Sequence, residues 1–119
     1  MRAELLRETL MKIASVVAVA SVALAVGSAY AALDNAKAEA MMKKDGCVAC
    51  HAVDKKIIGP SYIDVAAKYR GDKDAAAKLA KKVKEGGAGV WGNVPMPPNA
   101  AIADADIKEL VGWILTLKK

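Results

Sequence analysis

From residue 34 onward the apolar positions recur three and four apart, and no stretch alternates residue by residue, so the pattern predicts helices joined by loops. The first predicted helix runs from about Asp34 to Asp45, capped by Asp34 or Asn35. Ala36, Ala40, Met41 and Met42 are its apolar surface, and Gly46 ends it. Asp54 to Pro60 reads as a loop. Ser61 then caps a second helix, with Asp64 three residues on, close to a capping box. Tyr62, Val65, Ala66 and Tyr69 share one face of it, and Gly71 stops it. A third helix opens near Asp72 or Asp74, turns Ala76, Leu79, Ala80 and Val83 inward, and ends at Gly86-Gly87. Lys78, Lys81, Lys82 and Lys84 lie on or beside its polar side and read as a solvated face with cations near the helix C-terminus. Gly86 to Ala101, rich in Gly and Pro, is too long for a bare connector in so small a domain; such loops are usually functional. The last helix starts after Ala103, with Asp104 as cap, and runs to the terminus. Its buried stripe is Ile107, Leu110, Val111, Ile114 and Leu117, bordered by Trp113.

The N-terminal stretch has a different pattern. Lys12 precedes an uncharged, Ala- and Val-rich run from Ile13 to Val26, and small residues follow as far as Ala29-Tyr30-Ala31. This fits a secretory leader with an A-x-A cleavage site. Residues 1–31 are therefore expected to be removed, leaving Ala32–Lys119 as the mature domain. A retained membrane anchor is the alternative, although the apolar core is short and only weakly lipophilic. Glu4 and Glu8 dilute the positive charge before the run, so translation is expected to start at Met11. Removing Arg2, Arg7 and Lys12 along with Glu4 and Glu8 takes the formal charge from +5 to +4. That excess is mild, and it forms no stripe of the kind that binds nucleic acid.

Composition narrows the chemistry. The chain has one His, two Cys and no Phe. All three chemistry-bearing residues fall in Cys47-Val48-Ala49-Cys50-His51, a C-x-x-C-H motif that reads as a site of covalent c-type haem attachment. Two thiols at that spacing can each add to a haem vinyl group, and the histidine supplies the proximal imidazole. A redox dithiol would need a βαβ setting. Zinc would need a second Cys/His cluster. A structural disulfide also remains open. A mature chain this short is marginal on its own core, so a large apolar ligand fixed by two bonds would supply what the side chains lack.

With no second histidine, a methionine is the natural partner on the far side of the iron. Of the five methionines, Met1 and Met11 would leave with the leader. Met41 and Met42 sit within a few residues of Cys47, too short a tether to cross to the other haem face. Met96 remains, in Val94-Pro95-Met96-Pro97-Pro98, where prolines stiffen the backbone around it.

Residues 33–119 resemble a small bacterial class I c-type cytochrome of the cytochrome c-551 group. The matching strings are Gly46-Cys47-Val48-Ala49-Cys50-His51-Ala52, Gly59-Pro60, Asp64-Val65-Ala66-Ala67-Lys68, Gly89-Val90-Trp91-Gly92, Pro95-Met96-Pro97-Pro98-Asn99-Ala100 and Trp113. The resemblance implies an all-α fold of about four helices wrapped around one covalently attached haem c. It implies that the Pro60 carbonyl accepts a hydrogen bond from the His51 Nδ1–H, that Asn99 lies near the methionine sulfur, and that Trp91 donates to a haem propionate. Lys82 falls where the family carries a basic propionate partner, often arginine, and lysine lacks the bidentate fork. Met42 stands where the family often has a Phe packed on the terminal helix.

The expectation is thus an exported monohaem electron carrier of the periplasm, a monomer and not an enzyme. His51 and Met96 would stay bound to iron throughout. The resemblance implies redox proteins as partners, with a membrane cytochrome complex as donor and a terminal oxidase or nitrite reductase as acceptor, and neither nucleic acid nor a small-molecule substrate. Two alternatives are a membrane-held redox subunit, and a ligand-binding or enzymatic haem module if Met96 is not a firm ligand.

Overall fold

A computed structural model describes residues 33–119, together with Glu4 and Arg7. Those two residues are helical and exposed, and they belong to a separate unit, Met1–Tyr30. The rest of the expected leader, its cut after Ala31 and the start at Met11 lie outside the described residues. The second unit, Ala31–Lys119, contains the helices α1 (Asn35–Lys44), α2 (Tyr62–Lys68), α3 (Ala75–Glu85) and α4 (Asp104–Thr116), with a 3₁₀ turn at Cys47–Ala49. Among the described residues no helix is long and apolar enough to cross a membrane.

Local chemistry sets the helix ends. The Asp34 carboxylate accepts from the Lys37 amide at 2.8 Å and caps α1, whose last turn carries Lys43 and Lys44 against the negative end of the dipole. Gly46 then turns the chain with φ 76, a left-handed conformation that suits glycine. Ser61, only 2% exposed, caps α2 by accepting from the Asp64 amide at 3.1 Å. Its replacement by alanine would cost about 1 kcal/mol.

Several predicted details differ. In α1 the buried positions are Ala38 and Met42, four apart, while Ala36 and Ala40 face water. Alanine is small enough to sit on either face, so its position in the pattern carries little information. The same holds in α3, where Ala75 and Leu79 are buried and Ala76 is exposed. Finally, α4 is preceded by Ala103, which offers no capping side chain, and Asp104 is its first residue. Asp104 instead pairs with Lys84 at 3.0 Å. The helix ends at Thr116, and Leu117 is extended and half-buried.

α4 packs against α1, α2 and α3 and supplies Ile107, Leu110, Val111, Trp113 and Ile114 to a core completed by Ala38, Met42, Tyr62, Val65 and Leu79. Trp113 is within this core rather than at its border, 6% exposed, and its indole N–H donates to Asn35 Oδ1 at 3.0 Å. Met42 reaches the core without an aromatic ring, so α1 and α4 meet through a thioether side chain that adapts to the space available. The lysines of α3 divide: Lys78, which bonds Asp72 at 2.8 Å, and Lys81 are exposed as expected, whereas Lys82 and Lys84, which donates to the Ile102 carbonyl at 2.7 Å, are half-buried.

Candidate functional site

The turn at Cys47–Ala49 compacts the motif. The His51 amide donates to the Cys47 carbonyl at 2.9 Å and the Cys50 amide to the same oxygen at 3.2 Å. Cys47, Cys50 and His51 consequently line one cavity. Both cysteines are half-buried and neither is in a disulfide. Burial, and then the negative charge of Asp45, pushes the Cys47 thiol up from its ordinary range. Among the described residues no group of three or more His, Cys, Asp or Glu side chains could hold a metal ion.

The loop after the motif folds back onto the histidine. The Gly59 amide donates to the Cys50 carbonyl at 2.8 Å, and an isolated antiparallel bridge joins His51 to Lys56. His51 Nδ1 lies 2.8 Å from the Pro60 carbonyl. That pairing makes Nδ1 the protonated nitrogen and leaves the Nε2 lone pair available to a metal. Gly59 permits this approach, because a Cβ there would come 2.5 Å from His51 Cε1 and 2.9 Å from Nδ1.

Tyr62 stacks on the imidazole with ring centroids 5.1 Å apart and planes 20° off parallel, and meets Trp113 edge-on at 6.4 Å. Burial, and then the Cys47 sulfur, pushes the Tyr62 hydroxyl far above its ordinary range. Sequence periodicity marked Tyr62 only as a core residue. Its contact with His51 depends on the path of the intervening loop, which no spacing rule records.

The proline-rich segment forms another wall. An antiparallel bridge joins Gly87 and Met96, with the Met96 amide 2.9 Å from the Gly87 carbonyl and the reverse bond at 3.0 Å. Gly86 is required beneath it, since a Cβ there would strike the Met96 carbonyl and lie 2.8 Å from the Pro98 nitrogen. Asn99 ties the same segment to α3, its side-chain amide donating to the Val83 carbonyl at 3.1 Å and the Pro97 carbonyl at 3.2 Å. Both contacts of the amide are therefore to backbone.

Two cavities of about 350 and 90 Å³ adjoin here. Cys50, His51, Val83, Met96, Pro97, Val111 and Ile114 line both. Pro60, Lys82 and Trp91 line only the larger, while Cys47 and Asn99 line only the smaller. Trp91 is 43% exposed, with Lys68 Nζ 5.4 Å from its ring centroid. The structure thus brings together around one space all the residues singled out in the sequence.

The lining fits a c-type haem. It is predominantly apolar, two unpaired thiols stand at its edge, and a histidine beside them has one nitrogen committed to backbone and the other free. The larger space falls in the range typical of cofactor pockets.

Comparison with known proteins agrees. A family model for cytochrome c matches residues 35–118. The chain is 52% identical over 99 residues to cytochrome c-552 of Nitrosomonas europaea, covering 83% of this chain and 90% of that one. It is 51% identical over 80 residues to cytochrome c-551 of Pseudomonas aeruginosa, covering 67% and 76%. The crystal structure of the wild-type Nitrosomonas europaea cytochrome c552 superposes with a TM-score of 0.65 at 54% identity, covering 67% of this chain and 99% of that one. With this match over nearly the whole described domain, and an all-α fold built around the C-x-x-C-H turn, the chain belongs to the cytochrome c family, as a small class I c-type cytochrome that carries one covalently bound haem c.

Proposed function

We propose that this protein is an exported, soluble carrier of single electrons, with Cys47 and Cys50 attaching the haem and His51 and Met96 as its axial ligands. The observation that supports this most is that His51 and Met96 line the same two cavities, each pinned by backbone hydrogen bonds on its own side. Haem c supplies, when bound, a reversible one-electron Fe(III)/Fe(II) couple.

The chain's own residues tune that couple. The Pro60 carbonyl orients His51 and strengthens its ring as a donor. The Met96 thioether favours the softer reduced metal and raises the potential. Asn99 holds the Met96 segment against α3, while Trp91 and Lys82 face the larger cavity, where they can meet the propionates. Were His51 and Met96 both to hold the iron, no coordination position would remain for a substrate, which fits a carrier that makes and breaks no substrate bonds.

Ile58, Val90, Trp91 and Val94 are exposed at the rim of the larger cavity. Such an apolar rim suits brief encounters with redox proteins across a small interface. We place the donor in a membrane cytochrome complex and the acceptor in a terminal oxidase or nitrite reductase, with the mature chain in the periplasm beginning at Ala32.

Met96→Ala tests the axial assignment. The variant is expected to keep its haem, lose the weak far-red sulfur-to-iron charge-transfer band, bind carbon monoxide readily and fall in reduction potential. Rapid carbon monoxide binding by the wild type at neutral pH would favour the ligand-binding alternative instead. The mass of the same wild-type preparation should correspond to a chain starting at Ala32 plus one haem, and a mass that retains Ile13–Val26 would support the anchored one.

A further inference from the structure

We propose that Tyr62 is a positioning residue for the iron ligand: its ring sets the plane of the His51 imidazole. This rests on His51 being an axial ligand. The hydrogen bond to Pro60 cannot set the plane alone. A single bond of 2.8 Å at Nδ1 fixes one direction within the ring and leaves rotation about that direction open.

Tyr62 removes this rotation. Its ring lies 20° from parallel with the imidazole at 5.1 Å, so turning the imidazole would drive an edge into the phenol. The phenol is itself packed. It is 6% exposed and abuts Trp113 edge-on, with planes at 79°. Trp113 is in turn held by the Asn35 side chain at 3.0 Å. An unbroken line of contacts therefore runs from the start of α1 through α4 and α2 to the imidazole. Gly59 leaves room for no more than hydrogen at the Cε1 edge of the same ring.

The plane matters because the imidazole's filled π orbital is perpendicular to it. Its direction selects which of two iron d orbitals holds the unpaired electron in the oxidised state. A second group that orients a metal-bound histidine thus acts on the metal itself and not only on the fold.

The test compares ferric holoprotein of wild type, Tyr62→Phe and Tyr62→Leu by the proton shifts of the haem methyl groups and by the electron paramagnetic g values. Tyr62→Phe, which keeps the stacked ring, should preserve the order and spread of the methyl shifts. Tyr62→Leu should change both and shift the g values while the far-red band of Met96 ligation persists. If Tyr62→Leu yields no holoprotein, the unbranched Tyr62→Met takes its place in the same measurement. Unchanged shifts and g values in a folded, methionine-ligated Leu or Met variant would overturn the proposal. Equal changes in Phe and Leu would also overturn it, by assigning the effect to the hydroxyl. A wild type whose spectra lack nitrogen ligation by His51 would overturn the axial assignment itself, an outcome separate from either of these.

Discussion

Single atoms decide much at the residue scale. At Gly59, one added methyl would meet His51 Cε1 at 2.5 Å, a contact that a rigid ring cannot relieve by bending aside. Gly59→Ala should therefore displace the imidazole and lower stability by about 1–3 kcal/mol, the usual cost of overpacking. Thermal unfolding of the holoprotein, with the haem spectrum followed in parallel, would check both effects. A different local device acts at the start of α3. Asp72 accepts from Lys78 and from the Asp74 amide, which holds its carboxyl below the ordinary 3.8, and Lys78 is raised above its ordinary 10.5. The Asp72 share of stability is present above 3.8 and lost as pH falls through its lowered folded value. The Lys78 share is present below 10.5 and lost as pH rises through its raised one. Both groups lie at the surface within reach of solvent, so each share is small. Asp72→Asn should lower the neutral plateau slightly and leave stability at the acid end unchanged, so that the acid limb becomes shallower, as read by melting temperatures across an acid series.

Among the elements, α4 is the common partner of the other three helices, and it contains one position that natural packing does not use. Gly112 lies inside the helix on its exposed side, and a Cβ there would meet nothing within 4 Å. Gly112→Ala should stabilise the protein by about 1 kcal/mol through the lower entropy of the unfolded chain. That corresponds to a rise of roughly 4–8 °C in melting temperature for a domain of this size, with an unchanged haem spectrum. The contrast with Gly59 is one of surroundings alone. The segment from Gly86 to Asn99 is not a regular element, yet it is anchored as firmly as one. The Gly87–Met96 bridge and the Asn99 bonds to α3 fix its two ends.

For the molecule as a whole, the protein core is thin. No Phe is present, and among the described residues the core cluster joins four helices through ten side chains, one of them the alanine at position 38. Apolar residues of α3 and α4, among them Leu79, Val83, Leu110 and Val111, line the cavities as well as packing on other helices. The covalent haem is thus core as well as cofactor. Cys47→Ala and Cys50→Ala should each leave little stable holoprotein, because the remaining burial is too small to offset chain entropy. Circular dichroism should show no sharp thermal transition for chain lacking haem.

The sequence by itself determined the helical class, the cap at Ser61, a cap at Asp34 or Asn35, the C-x-x-C-H motif and the stiff proline setting of Met96. These are local properties, set by backbone preference and by residues a few positions apart. It also led to Pro60, Trp91, Asn99 and Lys82 through resemblance, and each of them borders one of the two adjoining cavities. Other features needed the folded chain. Which alanines are buried depends on how each helix is rotated against its neighbours, and Ala36, Ala40 and Ala76 carry no side chain large enough to dictate it. The split of the α3 lysines depends on where Asp72, Ile102 and Asp104 come to rest. The stack of Tyr62 on His51, the Gly59 contact and the Gly87–Met96 bridge arise where loops return to the motif. Such contacts join residues whose separation along the chain follows no period, so only tertiary structure decides them.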